Sequence, residues 1–392
     1  MEEKFADYGE VQIKQLNDRS KMYYTPNKEN NVFQLVVQYG AGEREFPKLG
    51  YAAQLMNNAG IMGAYEPQEL KEELSKLNAT CHVTADDDNL YIIMEGYEAT
   101  LPQACQLLSR QILMPKLDEK QLARLKGSAM GMRQQRKDNV SILNEALRQY
   151  MLYGEKSDYI KELTDKEIYE LQISELTGDI NRASNYEAKV FFTGTLPFDQ
   201  VYDILSKNLP LVANERPSNS PQAKDMMPVT ENTVYFLPNN DAEQAQIHLY
   251  IPMQKADKKD DVLRSAFNQY FGLDFTGIVL NEIREKRSMA YTAYAFVGTQ
   301  GIAGKASYLR GYIGTQNDKA NDALDVLMGL VNDMPKNPER IDNIKSYLRQ
   351  AMLTSHPSFR NKAMELVDLG YRGYTDDPAK ENLPKVDALT FD

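Results

Sequence analysis

Two stretches of sequence decide the fold: Leu113–Met130, LMPKLDEKQLARLKGSAM, and Asp333–Met352, DMPKNPERIDNIKSYLRQAM. Each begins with Met-Pro-Lys, at Met114 and at Met334, and continues into a long run with apolar residues at helical spacing. The same signature, found twice and so far apart, indicates a duplicated domain rather than a solenoid of short repeats.

The first copy mixes strands with helices. The residue pattern predicts strands over Asn31–Tyr39, Ala79–Ala85, Asn89–Gly96 and Ala188–Gly194, and helices over Leu49–Ala59, Glu66–Leu77, Leu101–Leu113 and Phe198–Leu209. The acidic turn Asp86–Asp88 joins two of these strands into an antiparallel hairpin. Further helices begin near Asp118 and Ser141, and the first of these carries Leu122, Leu125, Ala129 and Met132 on one face.

The second copy repeats this order after a segment rich in Pro, Ser and Asn. The predicted strands are Gln246–Met253, Ala290–Val297 and Ala306–Ile313, and the predicted helices are Val262–Tyr270, Ala320–Val331 and Glu339–Leu353. We therefore expect an α+β fold of two homologous domains, each an antiparallel-rich β-sheet with helices packed on one face. The predicted divisions are a first domain over residues 1–213, a linker over 214–232 and a second domain over 233–392.

The second copy is expected to lack its closing elements. In the first copy, LTDKEIYEL (Leu163–Leu171) is followed by a helix, a strand and another helix. The matching point in the second copy is ALTFD (Ala388–Asp392), where the given sequence stops. Two explanations remain open, a naturally shorter copy or a chain cut short, and we favour the second.

Composition and charge exclude several classes of function. The net charge of −11, from 45 basic and 56 acidic residues, argues against a nucleic-acid binder and against binding to anionic membranes. No apolar run reaches the ~18 residues of a membrane span. The polar N-terminus lacks a signal-peptide pattern, so the localisation is open: cytoplasmic, or the periplasm or cell envelope if the chain is an excised part of a secreted protein. Cys81 and Cys105 form one disulfide or, as we favour, two buried free thiols.

No single motif carries complete chemistry. The three histidines, His82, His248 and His356, form neither HExxH nor HxxEH. Asp86–Asp88 lacks the alternating ligands of an EF-hand, and GIAGKAS (Gly301–Ser307) fails the phosphate-loop pattern.

One cluster stands out, FGLDFTGIVLNEIREKRSMAYTAYAF (Phe271–Phe296). A glycine-containing turn leads into a helix that ends near Arg287, and a strand rich in Tyr begins near Ala290. Arg284 and Tyr291 lie on opposite sides of this helix-to-strand corner. A purely structural interpretation also exists, because cations near a helix C-terminus favour the helix dipole and need no further role.

The segment LNEIREKRSMAYTAYAF resembles the non-zinc half of insulinase/pitrilysin-type zinc peptidases, which show the pattern L-x-x-x-R-E-K-x-G-x-x-Y. Ser288 replaces the usual Gly of that pattern. The order of elements fits over nearly the whole chain. The resemblance implies the two-domain α+β fold expected above.

In that family, zinc is bound by HxxEH on the first helix of a domain, and a distant Glu completes the site. The matching helix is Gly50–Asn58, where Ala53 stands at the first His, Met56 at the Glu and Asn57 at the second His. Met132 is the equivalent of the distant Glu. The resemblance therefore implies that this chain holds no metal and that zinc belongs to a partner half.

The chain does keep two residues of the family pattern, Arg284 and Tyr291. It implies that Tyr291 donates a hydrogen bond to the scissile carbonyl and that Arg284 holds the substrate backbone. The expected partners are a zinc-bearing N-terminal half or a homologous subunit, and a peptide substrate; the chain is expected to be inactive alone. Two alternatives stay open, a non-catalytic scaffold and a pseudopeptidase that binds peptides by itself.

Overall fold

The structure is a computed structural model that describes residues 4–136, 139–212, 215–239, 242–272 and 276–391. Residues 213 and 214, at the predicted boundary between first domain and linker, lie outside the described residues. The same holds for residues 273–275 of the predicted helix-to-strand cluster and for Asp392, the last residue of the predicted matching point.

Eleven strands lie within the described ranges: β1 (Gln12–Gln15), β2 (Lys21–Pro26), β3 (Val32–Tyr39), β4 (Gly60–Ile61), β5 (Thr80–Ala85), β6 (Leu90–Tyr97), β7 (Pro115–Lys116), β8 (Ala188–Gly194), β9 (Gln244–Lys255), β10 (Ala290–Thr299) and β11 (Ala306–Gln316). The helices of the same ranges are α1 (Leu49–Met56), α2 (Pro67–Lys76), α3 (Leu101–Leu113), α4 (Glu119–Arg136), α5 (Val140–Tyr153), α6 (Asp158–Lys161), α7 (Asp165–Glu170), α8 (Ile173–Ala183), α9 (Phe198–Asn208), α10 (Asp261–Phe271), α11 (Ile278–Leu280), α12 (Ala320–Asn332), α13 (Ile341–Thr354), α14 (Lys362–Tyr371) and α15 (Pro378–Asp387). None of the described helices is both long and apolar enough to cross a bilayer.

The first sheet has the strand order β1-β2-β8-β3-β6-β5. Its described pairings are antiparallel except for β2 with β8. The alternation of β3 explains the packing, because Phe33, Leu35, Val37 and Tyr39 are all fully buried on one face. These side chains join a core that also takes in residues of α1, α3, α8 and α9.

The second sheet has the order β10-β11-β9 and is antiparallel throughout its described residues. Ala293, Ala295 and Ile313 turn one face of the sheet toward a separate core. Helices α10, α12 and α13 complete that core. The predicted α+β class with antiparallel-rich sheets is thereby confirmed.

The opposite face of each sheet is covered by a helix of the other copy. Ala363 of α14 packs against Val36 of β3 and Phe191 of β8 on the outer face of the first sheet. Conversely, α5 lies on β9, where the Asn144 Oδ1 is 2.7 Å from the Nε2 of His248. Within each copy, helices cover one face of the sheet, as expected. The other face is covered by a helix of the other copy, α14 on the first sheet and α5 on the second.

Residues 215–239 between the two sheets contain neither a helix nor a paired strand longer than one bridge. They are tied to the first copy by hydrogen bonds from the Asn219 N–H to the Gly40 carbonyl (2.8 Å) and from the Met227 N–H to the Leu152 carbonyl (2.7 Å). Lys224 forms ion pairs with Asp87 and Asp158. The linker therefore packs along the first copy, and the domain boundaries at 214 and 232 stay a prediction.

Candidate functional site

The corner that carries Arg284 and Tyr291 is built by an unusual helix ending. Helix α11 continues as a π-helical turn over Asn281–Glu285. The N–H of Ser288 then donates to the Arg284 carbonyl (2.8 Å), and the N–H of Met289 donates to the Ile283 carbonyl (2.9 Å). These two nested bonds resemble those of the Schellman ending but each spans one residue more, since they follow a π-helical turn, and that ending places a residue in the left-handed conformation. Ser288 has that conformation, with φ of 50°, which explains why glycine is usual at this position.

Tyr291 lies at an irregularity of the edge strand β10. Ala290 pairs with Thr315 and Thr292 pairs with Gly314, so the register shifts at Tyr291. A bulge of this kind re-aims the side chain that it carries. Tyr291 is 75 % exposed, although Ala290 and Ala293 on either side of it are buried.

Arg284 faces the ring of Tyr291. Its guanidinium carbon lies 5.5 Å from the ring centroid, within the range of a cation–π contact. The Arg284 side chain is about one third exposed, and its Nε lies 3.5 Å from a carboxylate oxygen of Glu285. The pair is therefore presented outward as a cation beside a phenol.

The neighbouring cations of the same helix are engaged elsewhere. Lys286 and Arg287 each form a 2.6 Å ion pair with Glu282. Hydrogen bonds from these two cations lower the pKa of the Glu282 carboxyl. Below them, Ile283 is fully buried and the hydroxyl of Thr315 donates to the Met289 carbonyl. The backbone of the corner is thus fixed, while Arg284 and Tyr291 remain accessible.

The four positions that match the zinc site of the family, and lack its ligands, lie in different surroundings. Ala53 and Met56 of α1 are buried in the first core. Met132 of α4 is 54 % exposed, so the predicted apolar face of this helix does not extend to it, although Leu122 and Ala129 are buried. The fourth position, Asn57, uses its amide in hydrogen bonds with the backbone.

The Asn57 amide clamps the edge strand β5. Its Nδ2 donates to the Val83 carbonyl (2.9 Å) and to the Ala53 carbonyl (3.2 Å), and its Oδ1 accepts from the Val83 N–H (2.8 Å). A catalytic zinc requires three N, O or S ligands that are free to coordinate it. Ala53 has no side-chain ligand atom, the Met132 side chain is exposed to solvent, and both ends of the Asn57 amide are occupied by backbone hydrogen bonds. These residues therefore do not fit zinc. Among the described residues, no group of three or more His, Cys, Asp or Glu side chains could hold a metal ion.

Sequence reasoning missed the same clamp in the second copy. The Nδ2 of Asn268 in α10 donates to the Val297 carbonyl (3.0 Å), and the Val297 N–H donates to its Oδ1 (2.7 Å). Val297 belongs to β10, the strand that carries Tyr291. The signal was present in the sequence, because both asparagines lie near the C-terminal end of the first helix that follows the first long strand of their copy: Asn57 directly after α1 and Asn268 in the last turn of α10.

The histidines and cysteines take no part in this corner. His82 and His356 are exposed. His248 lies between the two copies, where burial and the charges of Arg310 and Arg148 lower its pKa to about 4. The cysteines are free, as we favoured, although Cys81 is only partly buried; burial raises the pKa of both thiols to about 12.

Comparison with known proteins finds one similar family. Residues 184–348 match the family model of the peptidase M16 inactive domain. This segment, less than half of the chain, is similar to that inactive domain. The predicted relation to the non-zinc half of insulinase/pitrilysin-type peptidases is thereby confirmed. No match was found among curated proteins.

Solved structures share the fold of this chain at low sequence identity. A peptidase M16 inactive domain from Pseudomonas fluorescens is 18 % identical, with a TM-score of 0.71 over 97 % of this chain and 92 % of that one. The periplasmic protease PqqL from Escherichia coli is 13 % identical, with a TM-score of 0.72 over 98 % of this chain and 44 % of that one.

A third similar structure is the ferredoxin protease FusC in complex with Arabidopsis ferredoxin. It is 12 % identical, with a TM-score of 0.74 over 100 % of this chain and 44 % of that one. This chain therefore spans less than half the length of the two proteases. At these identities the likeness shows the fold alone.

Proposed function

We propose that this chain acts as the non-zinc half of a zinc metalloendopeptidase and supplies Arg284 and Tyr291 to a zinc-bearing half. The observation that carries the proposal is the exposed Arg284–Tyr291 pair, 5.5 Å from guanidinium carbon to ring centroid, on a corner with a buried backbone support. Two further facts support it: the inactive-domain match and the span of 44 % of each of two proteases.

The roles follow from the chemistry of the two side chains. A phenol is a hydrogen-bond donor, and the nearby guanidinium favours the build-up of negative charge at the oxygen that it contacts. Tyr291 donates to the scissile carbonyl as that oxygen gains charge, and Arg284 binds a backbone carbonyl of the substrate next to it. Removing one donor of this kind typically costs about 10²–10³ in turnover.

The remaining chemistry belongs to the partner. Neither Arg284 nor Tyr291 can generate hydroxide from water at neutral pH, and the residues at Ala53, Met56, Asn57 and Met132 do not fit zinc. We place the zinc in the partner half, which is joined to this chain or is a separate homologous subunit. The substrate of the pair is a peptide.

The test mixes the pure chain with a homologous zinc-bearing half that contains HxxEH and follows cleavage of a quenched fluorescent peptide. We expect the chain to raise the rate, and Tyr291→Phe to lower kcat by about 10²-fold or more with a smaller change in KM. Arg284→Ala is expected to raise KM as well, because it removes a contact made already with the bound substrate.

Matched controls are available in the same copy. Tyr347→Phe changes another exposed phenol, and Arg287→Ala removes a neighbouring cation that is paired with Glu282. Both variants should stimulate cleavage as the unchanged chain does. The absence of any rate gain, or a gain that Tyr291→Phe and Arg284→Ala leave intact, would contradict the proposed function.

A further inference from the structure

The outer edge of strand β5 has a residue whose backbone groups are open. β5 pairs with β6 on one side, where Val83 lies opposite Ile92. On the other side, both backbone groups of Val83 are bonded to the Asn57 amide. Residues two apart in a strand direct these groups to the same side, so those of Cys81 also face the outer edge. In the described part of the chain, neither group of Cys81 has a partner there.

The positions on either side of Cys81 along this edge are closed. Two residues earlier, the N–H of Ala79 donates to the Leu74 carbonyl (2.9 Å). Two residues later, Val83 is held by Asn57. The edge therefore has no room for a long added strand, but it can exchange one pair of hydrogen bonds with a single residue of an extended chain.

The corresponding position of the second copy is closed. Asn268 holds Val297 there through the same two backbone groups. Two residues before it, the N–H of Ala295 donates to the Gly272 carbonyl (3.1 Å), and Ala295 is fully buried. The opening at Cys81 is thus a feature of the first copy and not a general consequence of the asparagine clamp.

A groove of about 620 Å³ lies at this edge, between β5 and α2. Its floor is apolar and includes the buried side chains of Met56 and Leu70 together with Leu74. Lys71 and Glu95 are exposed at its rim. All the lining residues lie between positions 32 and 111, within the first copy. A groove of this size, with an apolar lining and a few polar groups, is typical of a ligand site.

The side chain of a residue placed opposite Cys81 points into this groove. Cys81 and Val83 pack against the first core, so both lie on the inner face of β5. Residues directly opposite each other in neighbouring strands have their side chains on the same face. The groove therefore combines one backbone donor, one backbone acceptor and an apolar space for a side chain.

We propose that the groove between α2 and β5 binds one extended residue of the peptide substrate, with a large apolar side chain; this step rests on the proposed function. The N–H of that residue donates to the Cys81 carbonyl, and its carbonyl accepts from the Cys81 N–H. Its side chain lies over Met56, Leu70 and Leu74. A charged side chain is disfavoured, because it would lose its hydration over an apolar floor.

The experiment uses the full chain without any zinc-bearing half and the blocked peptide acetyl-Ala-Leu-Ala-amide. Hydrogen exchange is followed by NMR. We expect saturating peptide to slow exchange of the Cys81 amide at least tenfold, because the open N–H gains an acceptor. The amide of His82 faces β6 instead and should change less than twofold.

Two matched peptides test the chemistry of the occupant. Acetyl-Ala-Asp-Ala-amide replaces the apolar side chain by a charged one. A peptide methylated on the leucine nitrogen keeps the apolar side chain but can no longer donate to the Cys81 carbonyl. Each should bind at least tenfold more weakly than acetyl-Ala-Leu-Ala-amide.

Variants of α2 locate the binding site. Ser75 is exposed and lines the groove, so Ser75→Phe should fill the groove, leave the chain folded and weaken peptide binding at least tenfold. Glu72→Phe is the matched control, because Glu72 is an exposed residue of the same helix outside the groove. This variant should bind the peptide as the unchanged chain does.

The proposal would be overturned by binding that leaves exchange at Cys81 unchanged, by equal binding of the leucine and aspartate peptides, or by unchanged binding in Ser75→Phe. No cleavage is measured, so these results do not depend on Arg284 and Tyr291. Protection of Cys81 without any gain in the cleavage assay would contradict the proposed function alone. A gain in that assay without protection of Cys81 would contradict the groove alone.

Discussion

Two helix-to-strand corners are built alike but differ in length: the corner from α2 to β5 in the first copy, and the corner from the π-helical turn to β10 in the second. In the first copy the left-handed residue is Asn78, with φ of 49°, and in the second it is Ser288, with φ of 50°. The asparagine clamp then holds Val83, five positions after Asn78, and Val297, nine positions after Ser288. The additional residues at the start of β10 include Tyr291. The exposed phenol therefore lies on an extension that the first copy does not have.

The strands β3 and β9 differ in the opposite way, because here the strand of the first copy, β3, has more edge pairing and more buried side chains. β3 is paired on both edges and has four fully buried side chains, whereas no residue of β9 is fully buried. Both strands carry alternating apolar residues. Burial of a strand is thus determined by its neighbours in the sheet as much as by its own sequence.

The largest effect should come from equivalent truncations in these two strands. Leu35 and Ile247 are each the fourth residue of their strand, β3 and β9, but only Leu35 is fully buried. Leu35→Ala should cost about 3–4 kcal/mol of unfolding free energy, against about 1–2 kcal/mol for Ile247→Ala. Urea unfolding of each variant measures the difference. Equal losses would mean that β9 is as well packed as β3.

The next largest effect should come from removing either asparagine clamp. Asn57→Ala and Asn268→Ala each remove hydrogen bonds to both backbone groups of one edge residue and should cost about 1–3 kcal/mol. Hydrogen exchange should accelerate at Val83 in the first variant and at Val297 in the second, and not the reverse. Gln68→Ala, on the exposed side of α2, serves as the control and should change neither amide.

The sequence predicted most long elements because their periodicity is strong. Ala188–Gly194 and Leu101–Leu113 were predicted with the bounds that the structure has, and the long strands and helices of both copies were found within a few residues. The resemblance supplied Arg284 and Tyr291, whose roles stay a prediction. It also supplied the four degenerate positions, of which Met132 proved to be exposed.

The elements that were missed depend on distant contacts. β2 was not predicted, because KMYYTP reads as a strand only beside β8, far along the chain. Helix α14 was not predicted either, and its place on the first sheet is set by contacts with Val36 and Phe191. The asparagine clamps were missed because a single amide carries no periodic signal, and only the comparison of both copies reveals it.

The pH dependence should show two opposing contributions. The pKa of His248 is lowered to about 4, chiefly by burial, so the unfolded chain takes up a proton near pH 6.5 while the folded chain does not. His248 therefore removes stability as the pH falls from about 6.5 to about 4. The size is on the order of 1–2 kcal/mol, because solvent screens a partly buried group.

Glu43 acts in the other direction in the first copy. Burial, followed by the charges of Asp87 and Asp86, raises its pKa to about 7. The folded chain keeps the proton that the unfolded chain releases near pH 4.5, so this contribution is present at low pH and is lost as the pH rises to about 7. Stability curves between pH 4 and 8 should change in opposite directions: His248→Gln should remove a rise in stability with pH between about 4 and 6.5, and Glu43→Gln should remove a fall between about 4.5 and 7. A common change in both variants would contradict the assignment to single groups.

The smallest effect is expected at Ser288 and Asn78, the two residues with a left-handed backbone conformation. Serine tolerates this conformation less well than asparagine, whose short polar side chain bonds locally. Glycine has no such penalty but loses more conformational entropy on folding. Ser288→Gly should therefore stabilise by about 0.5 kcal/mol, whereas Asn78→Gly should change stability by less.

Ser355→Gly is the control for the loss of entropy alone, because Ser355 ends α13 with an ordinary φ of −87°. This variant should be slightly destabilised. The thermal midpoints of the three variants should consequently follow the order Ser288→Gly, Asn78→Gly, Ser355→Gly from highest to lowest. If Ser288→Gly were no more stable than Ser355→Gly, the positive φ would not be what makes glycine usual at this corner, and its cause would have to lie in the contacts of the Ser288 side chain.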